Sequence, residues 1–333
     1  MKWKRWLKWT LIVMTALLIT IAAYLYYLYH SIETVLEQTY EPIRRSPSSA
    51  SQDITREKLE QQSWLRETSV TIEQKAPVTI LLLGIDEKSG ESGRSDTIML
   101  LTVNPNKKTM LIFNIPRDTR TEIIGKSKQD KINHAFAFGG VDMAINTVEA
   151  FLQVPIDYYI KVNMREFIKV IDELGGVDVH NELEFTYEDQ HFDKGELHLN
   201  GERALAYCRM RYDDPKGDLG RNQRQRAVVR SLMEKAESAQ VLTKLDSIFQ
   251  HVSSSVKTNL TFEDTKELLF EYREAAQTVD VLEVKGKSRM LNNIYYYFVS
   301  AEERKRITTR MKEVLELPLP SPVASPFRLE RIE

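Results

Sequence analysis

The chain of 333 residues carries 46 basic and 48 acidic side chains, 42% apolar residues and one cysteine. These figures exclude a collagen-like repeat, a disulfide framework and a wholly disordered chain, and the length accommodates one large domain or two. A net charge of −2 argues against a protein that works by neutralising nucleic-acid phosphates, so no nucleic-acid partner is expected.

That average hides an asymmetry. Lys2, Lys4, Arg5 and Lys8 charge the first nine residues, and Thr10 to Tyr29 then runs without a single Asp, Glu, Lys or Arg. An apolar run of about 20 residues matches the hydrocarbon thickness of a bilayer. Trp3, Trp6 and Trp9 stand at one end of the run and Tyr24, Tyr26, Tyr27 and Tyr29 at the other, where amphipathic rings suit the two headgroup layers. The expectation is a single-pass membrane anchor over 10–30, with 1–9 cytoplasmic and the remainder outside the cell. A cleaved signal peptide and a buried core helix are the competing readings. The acidic excess beyond the anchor suits a soluble ectodomain and disfavours tight binding to anionic lipid. Cys208 alone forms no internal disulfide, so stability must come from core burial, as is common in bacterial surface proteins.

Residues 31–40 continue the helix briefly, and the Pro/Ser composition after Glu41 reads as a stalk, making 31–75 a linker with the fold beginning between 53 and 75. Residues 76–316 read as one α/β domain, a mixed sheet flanked by helices, with no internal repeat. Val78–Ile85 is a continuous apolar run, expected for a strand covered on both faces. Residues 97–103 and 108–115 form a hairpin about the turn at 104–107. Further short strands are expected at 175–179 and 279–284. Helices are expected at 133–152, 164–174, 220–239, 261–276 and 301–315. The Pro-rich tail 317–333 is expected to be mobile.

Folding the hairpin about 105–106 sets position 96 opposite 115 or 116, so Asp96 and Arg117 meet at one sheet end. An antiparallel neighbour at 78–85 would deliver Asp86 there too. Exposed turn aspartates with a local Arg117–Asp118 pair are the plainer reading. Residues 207–212 look extended, which would send Arg209 and Arg211 to one face. Asp218 precedes a helix in which Arg221, Gln225, Val228 and Leu232 share a stripe. The lower part of the stripe is apolar and turns inward, so its Arg and Gln head faces the protein. Inward guanidinium groups at a helix start suit a phosphate, although a solvated basic patch remains the alternative. Two aspartates among arginines suggest a phosphate compound with Mg²⁺, with Mn²⁺ as a substitute, and chemistry by charge stabilisation. No HExxH pair, Gly-x-Ser-x-Gly elbow or P-loop is present. His191 and His198 read as surface residues. The 133–152 helix is apolar nearly all round, which marks either a central core helix or the wall of a hydrocarbon pocket, and Asn133 is its expected N-cap.

Eight blocks in order are similar to the LytR-CpsA-Psr family of bacterial cell-wall proteins. They are Leu83-Gly84-Ile85-Asp86, Arg94-Ser95-Asp96-Thr97-Ile98, Ile115-Pro116-Arg117-Asp118-Thr119, Lys131-Ile132-Asn133-His134-Ala135-Phe136, Leu174-Gly175-Gly176-Val177, the run from Leu199 to Tyr207, Arg209-Met210-Arg211, and the run from Asp218 to Gln225. They span about residues 78 to 235. The resemblance implies a phosphotransferase that takes a glycopolymer, such as wall teichoic acid, from a polyprenyl diphosphate carrier and joins it through a phosphodiester to peptidoglycan. It implies Asp86 and Asp96 as Mg²⁺ ligands. Arg117, Arg209, Arg211, Arg221 and Gln225 would bind the diphosphate, with Lys131 and Arg224 as weaker candidates. It leaves the general base open between Asp218 and Asp96, and expects a greasy tunnel for the polyprenyl tail. A polyprenyl-diphosphate hydrolase and a membrane-anchored, non-catalytic sensor of the carrier are the competing functions.

Overall fold

The computed structural model describes residues 2–44, 72, 75–86, 93–236 and 245–319. The chain opens with a helix over Lys2–Thr39, about 57 Å long at the usual rise per residue. Leu17, Leu18, Ile19, Tyr24 and Tyr26 all stand well exposed along it. Its Met14–Thr39 portion is one of two described helices long and apolar enough to cross a membrane, and it is unburied, whereas the other, His134–Leu152, is half buried within the fold.

The helix does not run out into a free stalk. Thr39 is buried, the Glu41 N–H donates to the Thr258 carbonyl at 2.7 Å, and the Tyr159 hydroxyl donates to the Glu41 carbonyl at 2.8 Å. The Arg44 N–H reaches Asp142 at 3.0 Å, and Ile43 packs on the main core. The chain thus joins the domain by residue 39, earlier than the expected start at 53–75, because backbone groups of 41 and 44 find partners there. Most of the remaining linker, 45–71, lies outside the described residues.

A six-stranded mixed sheet forms the centre, built from β1 (Val78–Ile85), β2 (Ser95–Asn104), β3 (Thr109–Asn114), β6 (Tyr158–Asn163), β11 (Val256–Thr258) and β12 (Val279–Val281), in the order β11-β6-β1-β2-β3-β12. β1 pairs antiparallel with β2 and parallel with β6, which explains its unbroken apolar sequence: both faces are covered. Leu81, Leu83, Ile85, Leu111 and Phe113 point into the main core, where the His134–Leu152 and Ala301–Leu315 helices pack. Val78, Ile80 and Met110, one residue out of phase, face a second core with Leu260, Tyr272 and Ala275. The expected 104–107 turn forms, and Asn104 holds it by accepting from the Lys107 N–H while its amide donates to the Val314 carbonyl.

The 133–152 segment proves to be a core helix rather than a pocket wall, since Ala144, Ile145, Val148, Phe151 and Leu152 are buried in the main core. It kinks at Gly139 and Gly140, the latter at φ 65°. Asn133 makes no capping bond; its side chain turns to Asp96 instead.

A third core lies beneath two small sheets, β7 (Val177–Asn181) with β10 (Gly195–Leu199) and β8 (Phe185–Tyr187) with β9 (Gln190–Phe192). The helices Phe167–Glu173, Gly201–Arg209 and Asp218–Ala236 border it. The stretch expected to be extended at 207–212 is helical through Arg209, because Asn200 caps the helix by accepting the Arg203 N–H at 2.9 Å and Ala204, Leu205 and Ala206 favour it. His191 and His198 lie on strands, exposed and paired with carboxylates, as surface residues should be. A hairpin of β4 (Arg120–Ile123) and β5 (Lys128–Lys131) and another of β13 (Lys287–Leu291) and β14 (Ile294–Phe298) complete the domain. The tail is described only to residue 319, where Leu317 packs on the main core; the rest of the expected mobile segment lies outside the described residues.

Phe113 is fully buried at the centre of the main core, so Phe113→Ala is expected to lower the unfolding free energy by about 3–5 kcal/mol. Urea denaturation followed by far-UV circular dichroism measures this, and an unchanged midpoint would contradict the assigned packing.

Candidate active site

The hairpin register fixes the first contact. Met99 pairs with Asn114, so Asp96 lies level with Arg117, and Arg117 Nη1 stands 2.9 Å from Asp96 Oδ1. The expected opposition at 115 or 116 is off by one or two positions because the Ile115 N–H continues the ladder to the Ile98 carbonyl before the chain turns. That turn is held by the Thr119 N–H and hydroxyl, which both donate to the Pro116 carbonyl, and it aims Asp118 inward. Asp118 is buried among cations: Lys131 Nζ at 2.7 Å, Arg211 Nη2 at 3.3 Å and Arg117 Nε at 4.0 Å.

Asp218, the first residue of the Asp218–Ala236 helix, adds a second buried carboxylate. Arg221 Nη2 lies 2.7 Å and Arg211 Nε 3.8 Å from its Oδ1. Arg221 closes the circuit by donating to the Asp96 carbonyl at 3.3 Å. Asp96, Arg117, Asp118, Arg211, Asp218 and Arg221 therefore form a ring of alternating charge. Burial lowers the pKa of Arg221, and the neighbouring Asp218 opposes that, but a guanidinium stays charged. The side chain of Tyr295, on β14, lies under two of the cations: Arg211 at 5.6 Å and Lys131 at 5.9 Å from its ring centroid.

The ring is incomplete in hydrogen bonds. Nine buried side-chain polar atoms have no hydrogen-bond partner among the described residues, and four of them are here: both Asp218 carboxylate oxygens, Arg221 Nε and Asn133 Oδ1. Close charges without aligned hydrogen bonds mark a place where a ligand supplies the missing donors and acceptors.

Asp86 arrives beside this ring because Ile85 pairs with Ser95 across a register shift at the end of β1. Its two oxygens are taken by Arg165 Nε at 2.7 Å and Arg209 Nη2 at 2.5 Å. Burial works to raise the Asp86 pKa, but the two arginines together outweigh it and hold the carboxyl below its usual range. Arg209 and Arg211 thus serve different carboxylates, not a common face, because the helix ends between them. Counting Arg165, and Glu188 at 3.8 Å from Arg209, six cations face five carboxylates, and the excess suits an anion.

Two expected site residues sit elsewhere. Arg224 is buried within the third core's border, where it donates to the Tyr207 and Met210 carbonyls and pairs with Asp214 at 2.6 Å. Its partners are satisfied by the protein. Gly220 makes room for this pair, since a Cβ there would collide with the Asp214 carboxylate. Gln225 is buried and accepts from the Asn114 amide at 3.3 Å, so it lies behind the ring and not in it. Arg165, Asp118 and Tyr295 are the members that sequence reasoning missed as site residues.

The Mg²⁺ expectation can be tested on donor chemistry. No group of three or more His, Cys, Asp or Glu able to hold a metal occurs among the described residues, so no cage closed by protein alone is built there. Mg²⁺ instead commonly takes one or two carboxylates and completes its shell with water and substrate phosphates. Asp86 and Asp96, brought to the same sheet end by the β1–β2 register, are carboxylates of the kind such an ion takes, and they would fit it once Arg165 and Arg209 release Asp86 and Arg117 releases Asp96 to substrate oxygens.

The LytR_cpsA_psr family profile matches residues 26–313. The chain belongs to this family. The Polyisoprenyl-teichoic acid–peptidoglycan teichoic acid transferase TagU of Bacillus licheniformis is 41% identical over 315 residues, covering 94% of this chain and 97% of that protein. The crystal structure of B. subtilis TagU matches with a TM-score of 0.60 at 42% identity, covering 74% of this chain and all of that one. A structure described as TagT bound to LIIa-WTA matches with a TM-score of 0.64 at 29% identity, over 76% and 95% of the two chains. Membership in the LytR_cpsA_psr family agrees with the mixed, helix-flanked sheet and with the order of the eight motif blocks.

Two outcomes follow from the charges. Arg224→Ala leaves Asp214 buried and uncompensated, so it should cost about 3–5 kcal/mol of stability; a normal unfolding midpoint with lost anion binding would return Arg224 to the site. Asp86, with a depressed pKa, contributes stability that is present above the unfolded-state carboxylate value and lost as pH falls through the lower folded value. The stability gap between the parent and Asp86→Asn should therefore be widest near neutral pH and close below about pH 4. Denaturation curves taken from pH 7 to pH 3 measure it, and a gap that widened toward acid would reverse the assignment.

Proposed function

We propose that this chain is a membrane-anchored phosphotransferase that moves an anionic glycopolymer, wall teichoic acid or a close analogue, from a polyprenyl diphosphate carrier to a peptidoglycan hydroxyl. Its kinship with transferases over nearly its whole length supports the reaction class. The carrier, the bond formed and the metal are the finer part of the proposal. The observation that carries it is the charge ring with its cation excess and its four unpartnered buried polar atoms.

In this reading the diphosphate oxygens replace the carboxylates as partners of Arg117, Arg209, Arg211 and Arg221, with Lys131 at the rim. Arg117 is half-buried between Asp96 and Asp118 and already positioned, so little reorganisation is needed as charge develops on the transferring phosphoryl group. The acceptor oxygen bonds to the phosphorus nearest the sugar, the phosphoanhydride bond breaks, and polyprenyl monophosphate leaves with the electron pair. The hydroxyl proton passes to Asp218 once the diphosphate has drawn Arg211 and Arg221 away from its Oδ1; its Oδ2 has no hydrogen-bond donor, whereas Asp96 Oδ1 is held by both Arg117 and Asn133. A Mg²⁺ held by Asp86 and Asp96 would offset charge on the diphosphate oxygens when bound. A cavity of about 900 Å³ between the Asp218–Ala236 helix and the sheet has an apolar side made by Met110, Ile112, Ala227, Met233 and Val279 and a charged side that includes Asp178, Arg226 and Arg230, and in this reading the apolar side takes the hydrocarbon tail. It lies across the sheet from the helix expected to form that wall.

Arg117→Ala should reduce turnover by roughly 100-fold or more while its unfolding midpoint stays close to the parent's. The assay follows polyprenyl monophosphate released by the full chain with Mg²⁺ and a polyprenyl-diphosphate glycan, with and without peptidoglycan. Release that requires the acceptor supports transfer; equal release without it assigns a hydrolase, and bound carrier without release assigns a sensor. In the same assay Ala227→Trp should raise KM for long-chain carriers and leave short-chain ones unaffected; an equal effect on both would place the tail elsewhere.

A further inference from the structure

The helix Phe262–Glu271 is short and unusual in what it leaves uncovered. Leu268 packs toward the second core, yet Leu269 is 63% and Phe270 74% exposed. Phe262, Lys266, Leu269 and Phe270 stand at i, i+4, i+7 and i+8, so they share one face. Glu267 and Glu271 lie on the adjoining side, with Glu271 exposed and paired to Lys75. The helix therefore has three sides: one buried in the domain, one acidic toward water, and one apolar and edged by the Glu263–Lys266 ion pair.

What lies against the third side is visible at its first residue. The ring of Tyr29, the last aromatic of the presumptive headgroup belt, meets the Phe262 ring edge-on at 5.1 Å between centroids. The same long helix touches the Leu245–Ser255 helix and β11, Lys257 Nζ donates to the Gln38 carbonyl at 2.7 Å, and Tyr40 bridges to Thr258. These contacts fix the Phe262–Glu271 helix beside the point at which the apolar segment leaves the hydrocarbon layer. Its start is tied by a capping box in which Thr261 and Asp264 bond each other's backbone, so the face is presented by a formed helix.

We propose that the face made by Phe262, Leu269 and Phe270 rests in the headgroup and upper acyl layer of the same bilayer that holds the anchor. The two large apolar side chains enter the interface to the depth usual for such helices, about 5–10 Å. Lys266, whose ammonium lies 6.0 Å from the Phe262 ring centroid and is paired with Glu263, places a neutralised ion pair at the edge of the face, at headgroup level. A lipid surface is favoured over a protein partner because the face is continuous with the anchor's own contact: the Tyr29 ring already rests on Phe262, its first residue. A single spanning helix leaves a domain free to rotate about the helix axis; a second contact removes that freedom and fixes where the charge ring points over the membrane. The inference rests on the reading of Lys2–Thr39 as a membrane anchor.

The test uses the full chain reconstituted in vesicles of phosphatidylglycerol and phosphatidylethanolamine, with an environment-sensitive thiol label at Leu269→Cys, Tyr24→Cys or Glu271→Cys. Cys208 is buried and does not compete for the label. Lipids brominated near the headgroup should quench the labels at 24 and 269 and spare the label at 271. Quenching at 24 with none at 269 would overturn the interfacial contact while leaving the anchor in place. Quenching at neither would overturn the anchor reading and this inference with it. Shielding at 269 that depends on the protein-to-lipid ratio and resists bromolipid would assign the face to a second copy of the chain and overturn the proposal. The double variant Leu269→Ser, Phe270→Ser should slow transfer from carrier embedded in vesicles several-fold and leave transfer from a short-chain carrier in solution unchanged. Equal loss in both would indicate misfolding, and the unfolding midpoint together with the label at 24 would then decide the matter on the single variants.

Discussion

Six side chains from three distant parts of the chain neutralise one another at a single sheet end, and the placement of nearly everything else follows from that. A cation removed from water needs a counter-charge, and a carboxylate likewise. Asp96 and Arg117 come from the central hairpin, Arg211 and Asp218 from the module built on the third core, and the ring closes only where the two bodies meet. The Arg211–Asp118 and Arg221–Asp96 links cross from one to the other, so the ring holds hairpin and module in register. The same arrangement is poised for an anion because its ion pairs are close but poorly aligned. Arg221 and Asp218 approach to 2.7 Å, yet neither Asp218 oxygen has a hydrogen-bond donor.

The resting site is therefore self-screened. Carboxylates occupy the arginines that a diphosphate would take, which keeps the pocket from being a bare positive field open to any small anion. A ligand must offer more than one charged oxygen to displace several carboxylates together. That requirement favours an anion large enough to reach several of these arginines at once.

Much of this was legible in the sequence where period and turn chemistry were strong. The unbroken apolar run of β1 and the 104–107 turn placed Asp96 against Arg117 to within two positions, and the inward stripe of Arg221 correctly announced a buried guanidinium. The errors have local causes. Arg224 shares the helix head with Arg221 but projects toward Asp214, a residue whose position depends on a loop with no periodic signal. The 207–212 stretch alternates in a way that resembles a strand, and the Asn200 cap overrode it. The β4–β5 and β13–β14 hairpins are short and rich in charged or aromatic residues, so they lack a two-residue apolar alternation. Tyr295 and its contact with Arg211 were consequently invisible. Asp118 was in plain view within a motif, but burial, which gives it three cationic neighbours, belongs to tertiary structure.

Cys208 sits in the third core with its thiol pushed up to about 12 by burial, against the pull of the nearby arginines. At neutral pH it is a protonated, inaccessible sulfur, neither nucleophile nor oxidation target. Because the chain has no other cysteine, its native state places no demand on thiol chemistry. Its native state forms without oxidation, so no oxidase or disulfide isomerase need accompany it to its place of work, and only an unfolded chain, with the thiol exposed, can pair with another chain in air. Its maturation is then a matter of chain collapse, set by water and apolar burial, and the fold itself is what shields the thiol from the redox state of the surroundings.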